Sequence, residues 1–138
     1  MALPSFARSR VDRSALALGL AVGDLLAIGG FVVAGEIRHG IPVLRMPGYV
    51  GETLAVFLVG WAVASFLGGL YTRDALKNLR RVLSWTVPAW VLATLLIHGI
   101  YLVTDLHDGT QLTFVAVTLF LGGVLVVGWR LVASLVIE

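Results

Sequence analysis

The sequence predicts an all-α integral membrane protein, a bundle of four transmembrane helices, and three observations predict it. Hydrophobic residues make up 59% of the 138 and charged residues only 13%, with a mean hydropathy of +0.97. Soluble domains run nearer 45–50% and ~25%, and a chain this short has too much surface to cover with so few charges. Three long runs, residues 53–72, 82–104 and 109–129, contain no Asp, Glu, Lys or Arg. The basic residues gather at the ends of such runs, as topology signals do.

A hydrocarbon core of ~30 Å needs roughly 20 apolar residues at ~1.5 Å each. The whole chain, 1–138, reads as a single membrane domain with spans at about 15–36, 53–71, 82–104 and 112–135. Barrel strands are excluded because the runs lack two-residue alternation, and an open sheet cannot cross a bilayer.

The first span carries one interruption, Asp24. Arg8, Arg10 and Arg13 before it suit a signal peptide, but no Ala-x-Ala site follows and Leu25–Gly35 stays apolar, so a retained helix is expected. The 37–52 loop contains Gly40, Pro42, Pro47, Gly48 and Gly51, which read as turns. In the second span Gly60, Ala64 and Gly68 recur every four residues, a spacing that lets helices approach closely. The middle segment, Thr72–Arg81, holds Arg73, Lys77, Arg80 and Arg81 beside Ala75, Leu76 and Leu79. It reads as a topology signal or as an interfacial turn with its basic side on lipid head groups. Pro88 in the third span is expected to kink it, while Trp85, Trp90 and Tyr71 look like interfacial anchors. The fourth span has Gly122 and Gly123 on the side of Arg130. Val59-Gly60-Trp61-Ala62 in the second span is echoed by Val127-Gly128-Trp129-Arg130 in the fourth. With both termini and the middle segment in the cytoplasm, eight basic residues lie inside and two, Arg38 and Arg45, outside.

An acid near mid-membrane is expensive and faces a partner or a wet cavity. Asp24 lies ~14 Å and Arg130 ~8 Å above the cytoplasmic ends of their helices, within an arginine's reach of each other. A structural Asp24–Arg130 ion pair is the leading reading; a proton- or ion-relay carboxylate, snorkelling and an inter-subunit contact are the alternatives. Thr94, His98 and Tyr101 share one face of the third span, continued by Asp105. The bland reading of this stripe is a neutral histidine bonded to a neighbouring hydroxyl; the sharper one is a pH-sensitive or substrate-lining role. No cofactor is expected. A lone membrane histidine is a poor basis for haem, and Lys77 lies outside the bundle, which excludes an internal Schiff base. His39, Asp105, His107 and Asp108 match no metal-ligand spacing, the absence of cysteine removes thiolate chemistry, and no P-loop occurs. An aspartyl dyad would need a second carboxylate at depth. The pI near 9.5 comes from arginines at helix ends rather than from a basic face, so nucleic acid is not a partner.

Asp24 in the first span, Arg38-His39-Gly40 after it and Gly128-Trp129-Arg130 closing the last span together resemble the DUF3054 family. These are small four-helix membrane proteins of bacteria and archaea with no assigned activity. The likeness runs from about Asp24 to Arg130. It implies a four-helix membrane protein with Asp24 and Arg130 among its characteristic positions, and supplies no substrate or cofactor.

Two function classes follow. The first is a structural or accessory subunit of the plasma membrane, a multi-pass protein working through helix–helix contacts. Its partners would be the bilayer and a second copy or a larger membrane complex, with the Gly60/Ala64/Gly68 stripe as one contact face. The second is a small transporter or channel subunit that uses Asp24, alone or together with His98, along an ion or proton path. No constellation of residues supports an enzyme. The environment of Asp24 discriminates between the two classes.

Overall fold

The computed structural model describes residues 15–104 and 111–136. Among the described residues four long helices run antiparallel in turn: α1 (Ala15–Arg38), α2 (Pro47–Gly68), α3 (Leu79–Thr104) and α4 (Leu112–Val136). Each is long and apolar enough to cross a membrane. They close a ring in which α1 packs on α2, α2 on α3, α3 on α4 and α4 on α1. The inner pair, α2 and α3, is the more buried; α1 and α4 turn most of their surface outward. The N-terminal arginines and residues 105–110, with Asp105, His107 and Asp108, lie outside the described residues.

Two elements depart from the sequence reading. Pro47, Gly48 and Gly51 do not form turns but open α2, six residues ahead of the expected span. Proline at the first helical position loses no bond there and has the right φ already. The second departure is in α4, where Thr118–Gly122 forms a π-turn. A straight α-helix turns ~100° per residue, so positions 118 and 130 would stand ~120° apart. One π-turn inserts a residue and takes back most of that rotation. Thr118, Gly122, Val126 and Arg130 therefore share the buried face of α4.

Glycine sets two helix ends. Gly40 (φ 80°) ends α1 and Gly69 (φ 68°) ends α2, each in the left-handed region that other residues occupy only at a cost. Both ends close in the same way. Ile41 N–H donates to Glu36 O at 2.9 Å and Gly40 N–H to Ile37 O at 3.0 Å. Leu70 N–H donates to Ser65 O at 3.0 Å and Gly69 N–H to Phe66 O at 3.2 Å. This is a Schellman pairing, which satisfies carbonyls that a helix end would otherwise strand. A short 3₁₀ turn, Arg73–Leu76, then leads to α3, whose first turn is capped by Asn78 Oδ1 accepting from Arg81 N–H at 2.8 Å. The helix α3 continues through Pro88 to Thr104.

The Gly60/Ala64/Gly68 stripe is consumed inside the bundle. A Cβ on Gly60 would stand 2.7 Å from Ile97 Cγ1 and 3.2 Å from the Ala93 carbonyl, and one on Gly68 would touch Ala89. Ala64 is buried. The stripe exists so that α2 and α3 can close on each other, and α3 covers it. Gly122 and Gly123 do the same for Trp90, whose ring lies over them and would meet a Gly122 Cβ at 2.6 Å. The core between these contacts is aromatic. The Trp61 and Trp90 centroids are 5.8 Å apart, and Phe57 lies 6.0 Å from Phe31 and 6.2 Å from Phe114.

Candidate functional site

Asp24 lies on the inner face of α1 with Leu20 one turn before it and Ile28 one turn after, all buried. Arg130 comes from the facing part of α4. The two are 1% and 0% exposed, so neither reaches the surface of the bundle. Arg130 Nε donates to Asp24 Oδ1 at 3.0 Å and Nη2 to Oδ2 at 2.6 Å. This forked geometry is the strongest arrangement available to the two groups. A third nitrogen, Nη1, donates to the Leu70 carbonyl at 2.8 Å.

The carboxylate accepts two further bonds. Trp129 Nε1 donates to Oδ1 at 3.1 Å, and the Tyr71 hydroxyl donates to Oδ2 at 2.6 Å. Each oxygen thus has two donors, which fills its lone pairs. Trp61 Nε1 in turn donates to the Tyr71 hydroxyl at 2.9 Å. The guanidinium carbon of Arg130 also stands 5.1 Å from the Tyr71 ring centroid and 5.6 Å from that of Trp61, within cation–π range. One closed network therefore ties α1, the end of α2 and α4 together.

Local structure explains how these groups meet. The left-handed Gly69 turns the chain back at the end of α2 and delivers the Leu70 carbonyl and Tyr71 to the site. Gly23, next to Asp24, leaves room for the Trp129 indole, which would overlap any Cβ there. The π-turn brings Arg130 around to face α1. The two echoed Gly-Trp pairs of the sequence send both their indoles to this network, Trp129 to the carboxylate and Trp61 to Tyr71. That echo, and the Gly68-Gly69 pair before Leu70-Tyr71, are the signals from which these partners could have been found. Tyr71 is not the membrane-surface anchor the sequence suggests, because its hydroxyl is committed to Asp24.

Thr94, His98 and Tyr101 lie at the other end of the bundle, all buried. Thr94 Oγ1 donates to the Trp90 carbonyl at 2.8 Å. His98 Nε2 is 3.1 Å from Thr118 Oγ1, whose own proton goes to the Phe114 carbonyl at 2.8 Å. A hydroxyl has one proton to give, so the arrangement that satisfies both bonds has His98 Nε2–H as donor. The His98 ring meets Phe114 edge-on at 4.6 Å, and Tyr101 bonds with Thr53. Trp90, another of the expected surface anchors, is buried with Nε1 donating to the Thr118 carbonyl at 3.0 Å. That carbonyl belongs to the π-turn, where the backbone ladder is interrupted. Thr94, His98 and Tyr101 thus bond inward, to Trp90, to α4 and to α2. Asp105, the outer member of the stripe, lies outside the described residues. No group of three His, Asp or Glu side chains that could hold a metal occurs among the described residues.

A family model described as a protein of unknown function, DUF3054, matches residues 21–133. That span contains Asp24, Tyr71 and Arg130, the core of the network above. No curated protein and no solved structure matches the chain.

Proposed function

The chain belongs to the DUF3054 family of unknown function, and from that premise we propose that it is a structural or accessory subunit of the plasma membrane, acting through helix–helix contacts. Both termini and the basic middle segment face the cytoplasm, where the Lys and Arg distribution puts them. The observation that carries this reading is the saturation of Asp24. A relay carboxylate needs a vacant lone pair and access to water, whereas this one holds four donors and is closed off from solvent. His98 is likewise committed to Thr118. The outward faces of α1 and α4 are then the surfaces offered to lipid, to a second copy or to a larger membrane complex.

Reconstitution into liposomes with a trapped pH indicator tests the activity. The protein is expected to carry no proton or cation flux above protein-free vesicles. A flux abolished by Asp24→Asn would refute the structural reading and put a transport path through Asp24 in its place. Orientation is tested with single cysteines at positions 5, 78 and 107 and an impermeant thiol reagent. Labelling at 107 alone is expected in intact cells, and labelling at 78 without 107 would reverse the topology.

A further inference from the structure

The segment between α2 and α3 is not a loose connection. Its 3₁₀ turn sinks Ala75 and Leu76 into the bundle, and Leu76 joins Leu20, Val82 and Ala133 in a small apolar cluster. With Asn78 capping α3, the backbone from Thr72 to Arg81 is held on both sides. Lys77, Arg80 and Arg81 therefore project from a fixed platform.

Those side chains differ in what they touch. The Arg81 guanidinium stands 5.1 Å from the Trp85 ring centroid and 3.9 Å from Asp74 Oδ1, so it already has two partners. Lys77 and Arg80 are exposed and have no ion-pair partner among the described residues. Arg80 also heads an apolar row. Leu83, Val87 and Val91 follow it along α3 within about 80° of one face, and all three are exposed. From Arg80 the row runs eleven residues, ~17 Å, close to the depth of one leaflet of a ~30 Å hydrocarbon core.

We infer that this face of α3 is a binding site for one anionic phospholipid. Its phosphate lies on Lys77 and Arg80, and an acyl chain lies along Leu83, Val87 and Val91. Charge complementarity selects the head group: the 72–81 segment carries four basic residues against a single acid, Asp74. The length of the row selects a lipid over a free anion, since phosphate alone would use none of it. The inference is independent of the role proposed for Asp24, which lies in the interior of the bundle.

The test uses the full chain, purified and delipidated in a mild non-ionic detergent. Its thermal unfolding is followed while phosphatidylglycerol, phosphatidylcholine or inorganic phosphate is added. Phosphatidylglycerol is expected to raise the melting temperature in a saturable way, and the other two are not. Each basic residue near an anionic lipid is worth about fivefold in affinity, so K77Q/R80Q should weaken phosphatidylglycerol about 30-fold. Both positions are exposed, so the variant should melt with the parent when lipid is absent. The charge-preserving K77R/R80K should keep the response, and so should R38Q/R45Q at the other end of the bundle. Native mass spectrometry gives a second readout, with one retained phosphatidylglycerol expected on the parent and none on K77Q/R80Q. An equal response to phosphatidylcholine, an equal response to inorganic phosphate, or an unchanged response in K77Q/R80Q would each overturn the site.

Discussion

Breaking the Asp24–Arg130 pair from either side should be among the most damaging single changes in this protein. Arg130→Gln removes two of the four donors on the carboxylate, removes the positive charge, and strips the Leu70 carbonyl of its partner. Asp24→Asn removes the negative charge and turns one oxygen into a donor that faces the donors of Arg130 and Tyr71. Either leaves an uncompensated charge at a position closed to water, at a cost of about 3–5 kcal/mol. That is a large share of a typical total stability of ~5–15 kcal/mol. The double variant leaves no orphan charge. It should fall short of the summed single losses by about 3 kcal/mol, the upper end of coupling between contacting residues. Neutral interhelical hydrogen bonds in membranes couple by only about 0.6 kcal/mol on average, so the cycle separates an ion pair from an ordinary polar contact. Tyr71→Phe should cost less, about 1.5–3 kcal/mol, because it removes one hydrogen bond to a charged group and leaves Trp61 Nε1 without its acceptor. The assay is reversible unfolding in mixed detergent micelles, followed by circular dichroism. Losses for Asp24→Asn and Arg130→Gln that add to within about 0.5 kcal/mol would refute the coupling.

Three further outcomes follow from the fold. Gly69→Ala forces a side chain into φ 68° and should cost about 1–2 kcal/mol; because the same turn presents the Leu70 carbonyl to Arg130, the loss should shrink in an Arg130→Gln background, as unfolding cycles will show. Thr86→Val should stabilise by about 1 kcal/mol, since Thr86 Oγ1 is buried without a hydrogen-bond partner and valine keeps its shape; the same melts check the sign. Deleting Phe120 removes the extra residue of the π-turn and lets α4 run as an α-helix with both ends still facing inward. Inserting one alanine after Val124 instead turns Arg130 away by ~100°, so only the insertion should abolish the Asp24–Arg130 coupling.

The number and approximate place of the helices were legible in the sequence because a bilayer imposes a length. A run of about 20 apolar residues without charge has few other stable uses, so three spans stand out unaided and the fourth needs only a reason to tolerate Asp24. Asp24 and Arg130 were legible as candidates for the same reason: charge at depth is rare, and their depths follow from helical rise alone. Which side of a helix a residue faces is far less legible, since lipid-facing and core-facing positions are both apolar and the pattern that marks a soluble helix is missing. Tertiary structure alone decided that α3 covers the Gly60/Ala64/Gly68 stripe, that Trp90 and Tyr71 turn inward, and that Trp129 bonds the Asp24 carboxylate while Trp61 bonds the Tyr71 hydroxyl beside it. It also decided the π-turn, whose reason lies outside its own five residues. Thr118 must meet His98 on α3 while Arg130 meets Asp24 on α1. A straight helix cannot aim both at once, and only the positions of its two neighbours say so.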